Sequence, residues 1–421
     1  MRATLVTWTQ WIALGSAVGV LSGAASALFL WLLDVATRLR IQHASIVYGL
    51  PVVGLGLGWL YTRYGQPIKA GNNLIIDTLH TGGPELPLRM TPMVLLGTVM
   101  THLAGGSAGR EGTAVQMGAS LADWLAHRAR VSPGMRLQLL AAGVAGGFGS
   151  VFGTPVAGAV FGLELVVLGR LDHQALVPAL LAACIGDLTT RALGITHVVY
   201  PAAPPLPLTP LLLSQWALFA VAVAAVSAAF VELTHALKRL GERRVPSLPA
   251  RMFVGGLVVV GLWKLLGTSD YLGLGIPMIL HAFTDPQLPV YVFALKLVFT
   301  AITLGASFPG GEVTPLFFIG AALGSVLARW LGIPVALGAG VGLAAMFAAA
   351  ANTPLALSVM AIELLGAAAL PHVAIVCALA FVLSGHRSVY PAQRLVHRKA
   401  GGPSLGEPTA LRDLARPSKD P

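Results

Sequence analysis

From Trp11 to Leu33 the chain runs for 23 residues without Asp, Glu, Lys or Arg, and a second such run extends from Leu206 to Val231. Each is long enough for a helix to cross a hydrocarbon layer of about 30 Å. Other apolar runs, such as Met93 to Ala104 and Leu139 to Phe152, are shorter and interrupted by Gly or Pro. Runs of that length do not reach across. In lipid, every backbone N–H and C=O needs an internal partner, so broken or re-entrant helices survive only beside other protein or a polar cavity. The chain must therefore combine full spans with partial ones around something polar. Its composition agrees: 10% of residues are charged, against about 25% in soluble domains. An all-α polytopic membrane protein is the expected class.

The formal net charge of +10 raises the question of nucleic acid, and the distribution answers it. The basic residues cluster in short connectors: His127 to Arg130 with Arg136, Lys238 to Arg251, and Arg387 to Lys399. That is the pattern of cytoplasmic loops, not of a folded basic module. It predicts an inner (plasma) membrane protein with both termini cytoplasmic. Cys184 and Cys377 both lie in apolar runs and read as small core residues. The first apolar run continues into the body of the protein, unlike a cleaved signal. The tail, residues 396–421, is short, basic and expected to be disordered.

One ionisable pair stands inside a glycine-rich, otherwise apolar segment: Gly109-Arg110-Glu111-Gly112-Thr113. A carboxylate at membrane depth is costly and points to function. Flanking glycines allow the backbone to approach a ligand closely. A mobile acid beside free amides competes with an anion and can carry a proton.

The chain also matches itself. Phe152 to Gly169 resembles Ala350 to Gly366, each with Thr-Pro, an apolar helix and Glu-Leu; Pro155 and Glu164 correspond to Pro354 and Glu363 at an offset of 199. Ser107 to Ala119 resembles Pro309 to Ala321 at an offset of 202. Duplicated halves with Gly/Pro interruptions at matching places indicate a transporter whose site lies where broken helices converge. The expected units are 1–200 and 201–395.

Helix N-termini offer an anion positive partial charge without trapping it. Three segments read as such starts: Gly71 to Ile75, Gly109 to Thr113, and Gly310 to Pro315, where Thr314 suits a cap and Pro315 the first helical position.

In this order, and with Gly385 to Tyr390 near the end, these segments resemble the CLC chloride channel and transporter family over about residues 10–395. The resemblance implies two inverted repeats of tilted and broken helices, and a homodimer with one pore per subunit. It implies that Glu111 is the gating, proton-accepting glutamate, that Tyr390 is the pore tyrosine, and that the amides of Glu312 and Val313 line the central anion site. Departures matter too. Chloride-type members carry a serine where Asn72 stands, a proline where Thr113 stands and an apolar residue where Glu312 stands; Leu165 occupies the usual inward proton-transfer position, with Glu164 one place earlier. The set resembles the fluoride-exporting branch, the fluoride/proton antiporters, which also lacks that inward glutamate. An Asn amide offers two N–H donors where a serine offers one hydroxyl, and Thr113 and Thr314 add hydroxyls near the gate.

Plainer readings exist for each residue. Glu111 can be a structural partner of Arg110, although neighbours on a helix point in different directions. Glu312 can be a surface acid at a helix start, or a second pore acid linked to the gate through Thr314. Tyr390 can belong to an interfacial belt, and Asn72 can be a simple cap. Glu164 and Glu363 are expected to pair with backbone or polar groups at repeat or subunit contacts, with Glu164 a secondary candidate for proton passage. His80 and His102 read as structural. The expected function is fluoride export in exchange for protons, involving no cofactor or metal. The alternatives are a chloride or mixed-anion channel, or a chloride/proton antiporter, of the same family. An intramembrane enzyme is disfavoured because no catalytic motif lies in an apolar segment.

Overall fold

The structure is a computed structural model and describes residues 2–399, 401 and 406–414, with side chains from residue 8 onward. Eight helices form the first half: α1 (Arg2–Gln42), α2 (Leu50–Tyr64), α3 (Asn72–Thr81), α4 (Met90–Leu103), α5 (Glu111–Arg128), α6 (Pro133–Phe152), α7 (Pro155–Glu164) and α8 (Leu176–Ala192). The second half follows the same order: α9 (Pro210–Arg244), α10 (Leu248–Leu266), α11 (Ile276–Thr284), α12 (Tyr291–Gly305), α13 (Val313–Leu331), α14 (Val335–Ala351), α15 (Pro354–Leu365) and α16 (Leu370–Leu383). The tail adds a two-stranded ladder, β1 (Arg394–Leu395) with β2 (Thr409–Ala410), and a short α17 (Leu411–Leu414).

Length separates the helices into two kinds. Helices α1 and α9 have 41 and 35 residues, roughly 60 and 50 Å at 1.5 Å per residue. A layer of about 30 Å takes such a helix tilted or with its charged end outside. By contrast α3 and α7 have 10 residues each and stop about halfway, at roughly 15 Å. The run Leu139 to Phe152, expected to be too short to cross, is part of the 20-residue α6. Arg136 in its first turn does not interrupt it, because Asp123 accepts from both Nε and Nη2 and the carbonyls of Gly82, Gly83 and Pro84 take the remaining donors.

The halves correspond in packing as well as in order. Helix α1 lies on α8 as α9 lies on α16, and α5 crosses α6 as α13 crosses α14. Those crossings are backbone to backbone. A methyl on Gly118 would lie 2.2 Å from the Gly143 carbonyl, and one on Gly320 would lie 2.2 Å from the Gly342 carbonyl. The two pairs are related by the offsets of 202 and 199 found in the sequence. Helix partners without a hydrophobic drive associate through such close small-residue contacts. Between the halves, Phe148 stacks on Phe161 at 4.2 Å, and both approach Phe347 of the second half, at 6.5 and 6.1 Å.

The tail departs from expectation. Residues 406–414 are folded onto the body: Leu411 N donates to Gln393 O at 2.9 Å, Arg412 N to Pro391 O at 3.0 Å, and the Arg412 guanidinium grips both oxygens of Asp77 on α3. Asp77 also accepts from Arg394 at 3.0 Å. The charges that suggested disorder are here matched by a fixed acid. The expectation for 400, 402–405 and 415–421 falls outside the described residues.

Candidate anion and proton site

All three expected helix starts are present. Helix α3 begins at Asn72 after Gly71, whose φ of +55° suits glycine; α5 begins at Glu111 and α13 at Val313. The loops before α5 and α13 are joined directly. Gly109 N donates to Gly311 O at 2.6 Å and Gly311 N to Gly109 O at 2.9 Å, an isolated antiparallel bridge between equivalent positions of the two repeats. The bridge holds the two positive helix ends together at the centre of the protein. Side chains are excluded there: a methyl on Gly109 would lie 2.9 Å from Glu111 Oε2 and 3.0 Å from the Gly311 carbonyl.

Glu111 is fully buried, and its carboxylate sits on the start of α13. Oε2 accepts from Thr314 N and from Arg110 N, each at 3.1 Å, and Oε1 accepts from the Thr314 hydroxyl. The acid therefore occupies the place that a free anion takes at a helix N-terminus. Thr314 does not cap its own helix, as the sequence suggested. Helix α13 starts two residues earlier than that cap requires, with Glu312 at the N-cap position, and this frees Thr314 to clamp the acid. Arg110 Nε lies 3.5 Å from Glu111 Oε1. The argument from neighbours on a helix fails because Arg110 precedes the first helical residue and its side chain folds back. At that distance the ion pair accompanies the backbone and Thr314 bonds and does not replace them.

Asn72 and Glu312 converge on Gly112, next to Glu111 in the chain. A methyl on Gly112 would lie 2.9 Å from Asn72 Nδ2 and 3.7 Å from Glu312 Oε2. Asn72 Oδ1 and Glu312 Oε2 are buried without hydrogen-bond partners. Buried orphan polar atoms are costly; both of these are acceptors and call for a donor, such as water or a proton, while Asn72 Nδ2 beside Gly112 is the donor available to an anion. Tyr390 is 3% exposed. Its loop is fixed to α3 through Ala392 N, which donates to Asn73 Oδ1 at 3.0 Å, and Tyr390 N donates to Ser388 Oγ at 2.9 Å. Val313 is 1% exposed at the first turn of α13.

Thr113 turns elsewhere, and Glu164 makes the backbone contact between repeats that was expected of it. The Thr113 hydroxyl is 2.6 Å from that of Thr98 on α4, so it ties α5 to α4 rather than turning to Glu111. Glu164 accepts from Leu355 N at 3.1 Å and Ala356 N at 2.8 Å, while Glu363 accepts from Val156 N at 2.9 Å and Ala157 N at 2.8 Å. Each acid caps the helix that follows Thr-Pro in the other repeat. His102 braces the gate loop, with its ring nitrogens 2.8 Å from Thr98 O and 2.9 Å from Ala108 O. Sequence reasoning missed Asn73, Asp77 and Thr98; the polar residue beside Asn72 in GNN was the available signal for Asn73.

The family model described as voltage gated chloride channel matches residues 49–385. The chain belongs to this family. A curated relative from Pseudomonas syringae pv. tomato, a chloride/fluoride channel protein, is 45% identical over 416 residues, covering 96% of this chain and 90% of the relative. A crystal structure of a CLC-type fluoride/proton antiporter superposes with a TM-score of 0.89 at 36% identity, covering 92% of this chain and 98% of the other. A slow cyanobacterial Cl⁻/H⁺ antiporter shares the fold, with a TM-score of 0.79 at 20% identity over 89% and 94% of the two chains. This protein is thus a CLC-family membrane ion transporter built from tilted and broken helices.

Proposed function

We propose that this chain exports fluoride in exchange for protons. The observation that carries the reading is the Glu111 carboxylate seated on the Thr314 amide and hydroxyl, a position an anion and the ionised acid can hold only in turn. Protonation removes the charge that binds the acid there. The neutral side chain leaves, and fluoride takes the amides of α13 together with Asn72 and the Tyr390 loop. Return of ionised Glu111 expels the anion and releases the proton, which links the two fluxes. Gly109, Arg110 and Gly112 shape this exchange by bringing the backbone close, and Glu312, with an unpartnered oxygen, is the second acid on the path. Fluoride is favoured over chloride in this reading by the amide of Asn72 and by the likeness to a fluoride/proton antiporter at 36% identity.

The repeats are read as 1–200 and 201–395, working in a homodimer of an inner membrane with both termini cytoplasmic. Purified protein in liposomes loaded with potassium fluoride tests the proposal. Fluoride efflux with proton entry and little chloride movement is expected. Chloride efflux at a similar rate without pH change would instead identify an anion channel.

A further inference from the structure

Two buried cations have no task in the gate or in the repeat contacts. Arg40, in the last turn of α1, is 9% exposed, and its Nη1 is buried without a hydrogen-bond partner. Lys296, on α12, is fully buried. Its Nζ donates to Gly273 O at 2.7 Å and Tyr271 O at 3.2 Å. An ammonium has three N–H donors, so one remains. The guanidinium lies across the same glycine: a methyl on Gly273 would be 2.6 Å from Nη1 and 2.8 Å from Nη2 of Arg40. Beyond its hydrogen bonds, Lys296 Nζ stands 5.3 Å from the centroid of the Phe318 ring. Nearby acids are occupied elsewhere: Asp34 pairs with Arg38 at the exposed surface, and exposed Asp270 accepts from Thr268.

A buried basic group either loses its proton or takes a counter-charge; a guanidinium keeps its proton, and the described residues give Arg40 no acid partner. The turn beside the two cations is tied to the loop before Gly109 by hydrogen bonds. Gly273 N donates to Gly106 O at 3.2 Å, Ser107 Oγ lies 2.9 Å from Thr300 Oγ1, and Ser107 N donates to Thr303 Oγ1 at 3.1 Å. Lys296, Thr300 and Thr303 thus form one buried polar stripe on α12, leading from the cations to the residues just before Gly109. The loop 267–275 follows α10, a 19-residue helix that starts at the basic connector 238–251, so it lies at the opposite end of that helix from the connector.

We propose that Arg40 and Lys296 hold a small monovalent anion at a site separate from the Glu111–Asn72–Tyr390 path, on the side away from the basic connectors. The site supplies the missing counter-charge and places a halide at the head of the gate loop. Its existence rests on charge and geometry, and its use in transport rests on the anion-transport reading above.

Fluoride bound at equilibrium to purified protein in lipid nanodiscs, measured by dialysis and a fluoride electrode, provides the test. Lys296→Met and Arg40→Gln should each bind less fluoride per protomer than the wild type, and the double variant no less than either single one. Unchanged stoichiometry in both singles would overturn the site and leave the cations as clamps on the 271–273 turn. If a variant is not monodisperse, wild-type crystals grown in bromide decide the matter: an anomalous peak within hydrogen-bonding reach of Nη1 and Nζ is expected, and its absence refutes the proposal. Binding of chloride in place of fluoride, lost in the same variants, would keep the site and remove the fluoride reading.

Discussion

Replacing Glu164 with glutamine separates a structural acid from a proton carrier. In the structure both carboxylate oxygens are engaged, at 3.1 Å from Leu355 N and 2.8 Å from Ala356 N. Glutamine keeps one acceptor oxygen and turns an NH2 group on the second helix N–H, donor against donor. The expected loss is one charge-assisted bond, about 1.5–3 kcal/mol. That is a large share of a typical folding free energy of about 5–15 kcal/mol. Glu164→Ala orphans both amides and should cost about twice as much. Glu363→Gln should resemble Glu164→Gln, because its carboxylate makes the same two bonds to α7. Thermal unfolding in detergent reads the stability, and fluoride-driven proton uptake in liposomes reads the coupling. The expected result is a lowered unfolding midpoint with coupling retained. Wild-type stability with lost coupling would refute the capping argument and make Glu164 a carrier.

Further outcomes follow from the gate. Glu111→Gln should abolish fluoride-coupled proton movement in the same liposomes; persistent uptake would remove Glu111 as the gate. Thr314→Val keeps the backbone amide but removes the hydroxyl donor, so the docked acid should lose about 1.5–3 kcal/mol and uncoupled fluoride leak should rise; an unchanged leak would show the hydroxyl to be dispensable. Asn72→Ser should lower the ratio of fluoride to chloride flux, and an unchanged ratio would shift selectivity to Thr314 and Glu312. Arg412→Ala frees Asp77 from one of its two arginines and should slow turnover by loosening α3 against the Tyr390 loop; an unaltered rate would make the tail contact incidental.

Much of this was legible in the sequence because its signals are local. Gly71, Gly109 and Gly310 precede their helices by one to three residues, and Thr-Pro marks α7 and α15 directly. The repeat was legible because its offsets survive in three dimensions at Gly118·Gly143 and Gly320·Gly342. What stayed hidden depends on partners distant in the chain. The repeat contact expected of Glu164 is present, but its partner Leu355 lies 191 residues away, and no spacing rule names which helix start it meets. The hydroxyl of Thr113 pointed as readily to the gate as to Thr98, since both are polar neighbours of one turn. The tail read as disordered because its composition is basic; the acid that fixes it, Asp77, lies on the opposite end of the sequence. Arg110 was misjudged because helix geometry was applied one residue before the helix begins.

The bridge between Gly109 and Gly311 has a mechanical consequence. The two helix starts that face the anion are riveted to one another by paired backbone bonds, so they cannot part like the jaws of a clamp. Motion at the centre must be delegated to side chains swinging about a stationary hub. Structures with the acid seated and with it withdrawn should therefore overlay closely along the backbone of 109–112 and 311–314, with the traffic confined to rotamers. Transport here resembles a turnstile turning on a fixed post more than a pair of doors.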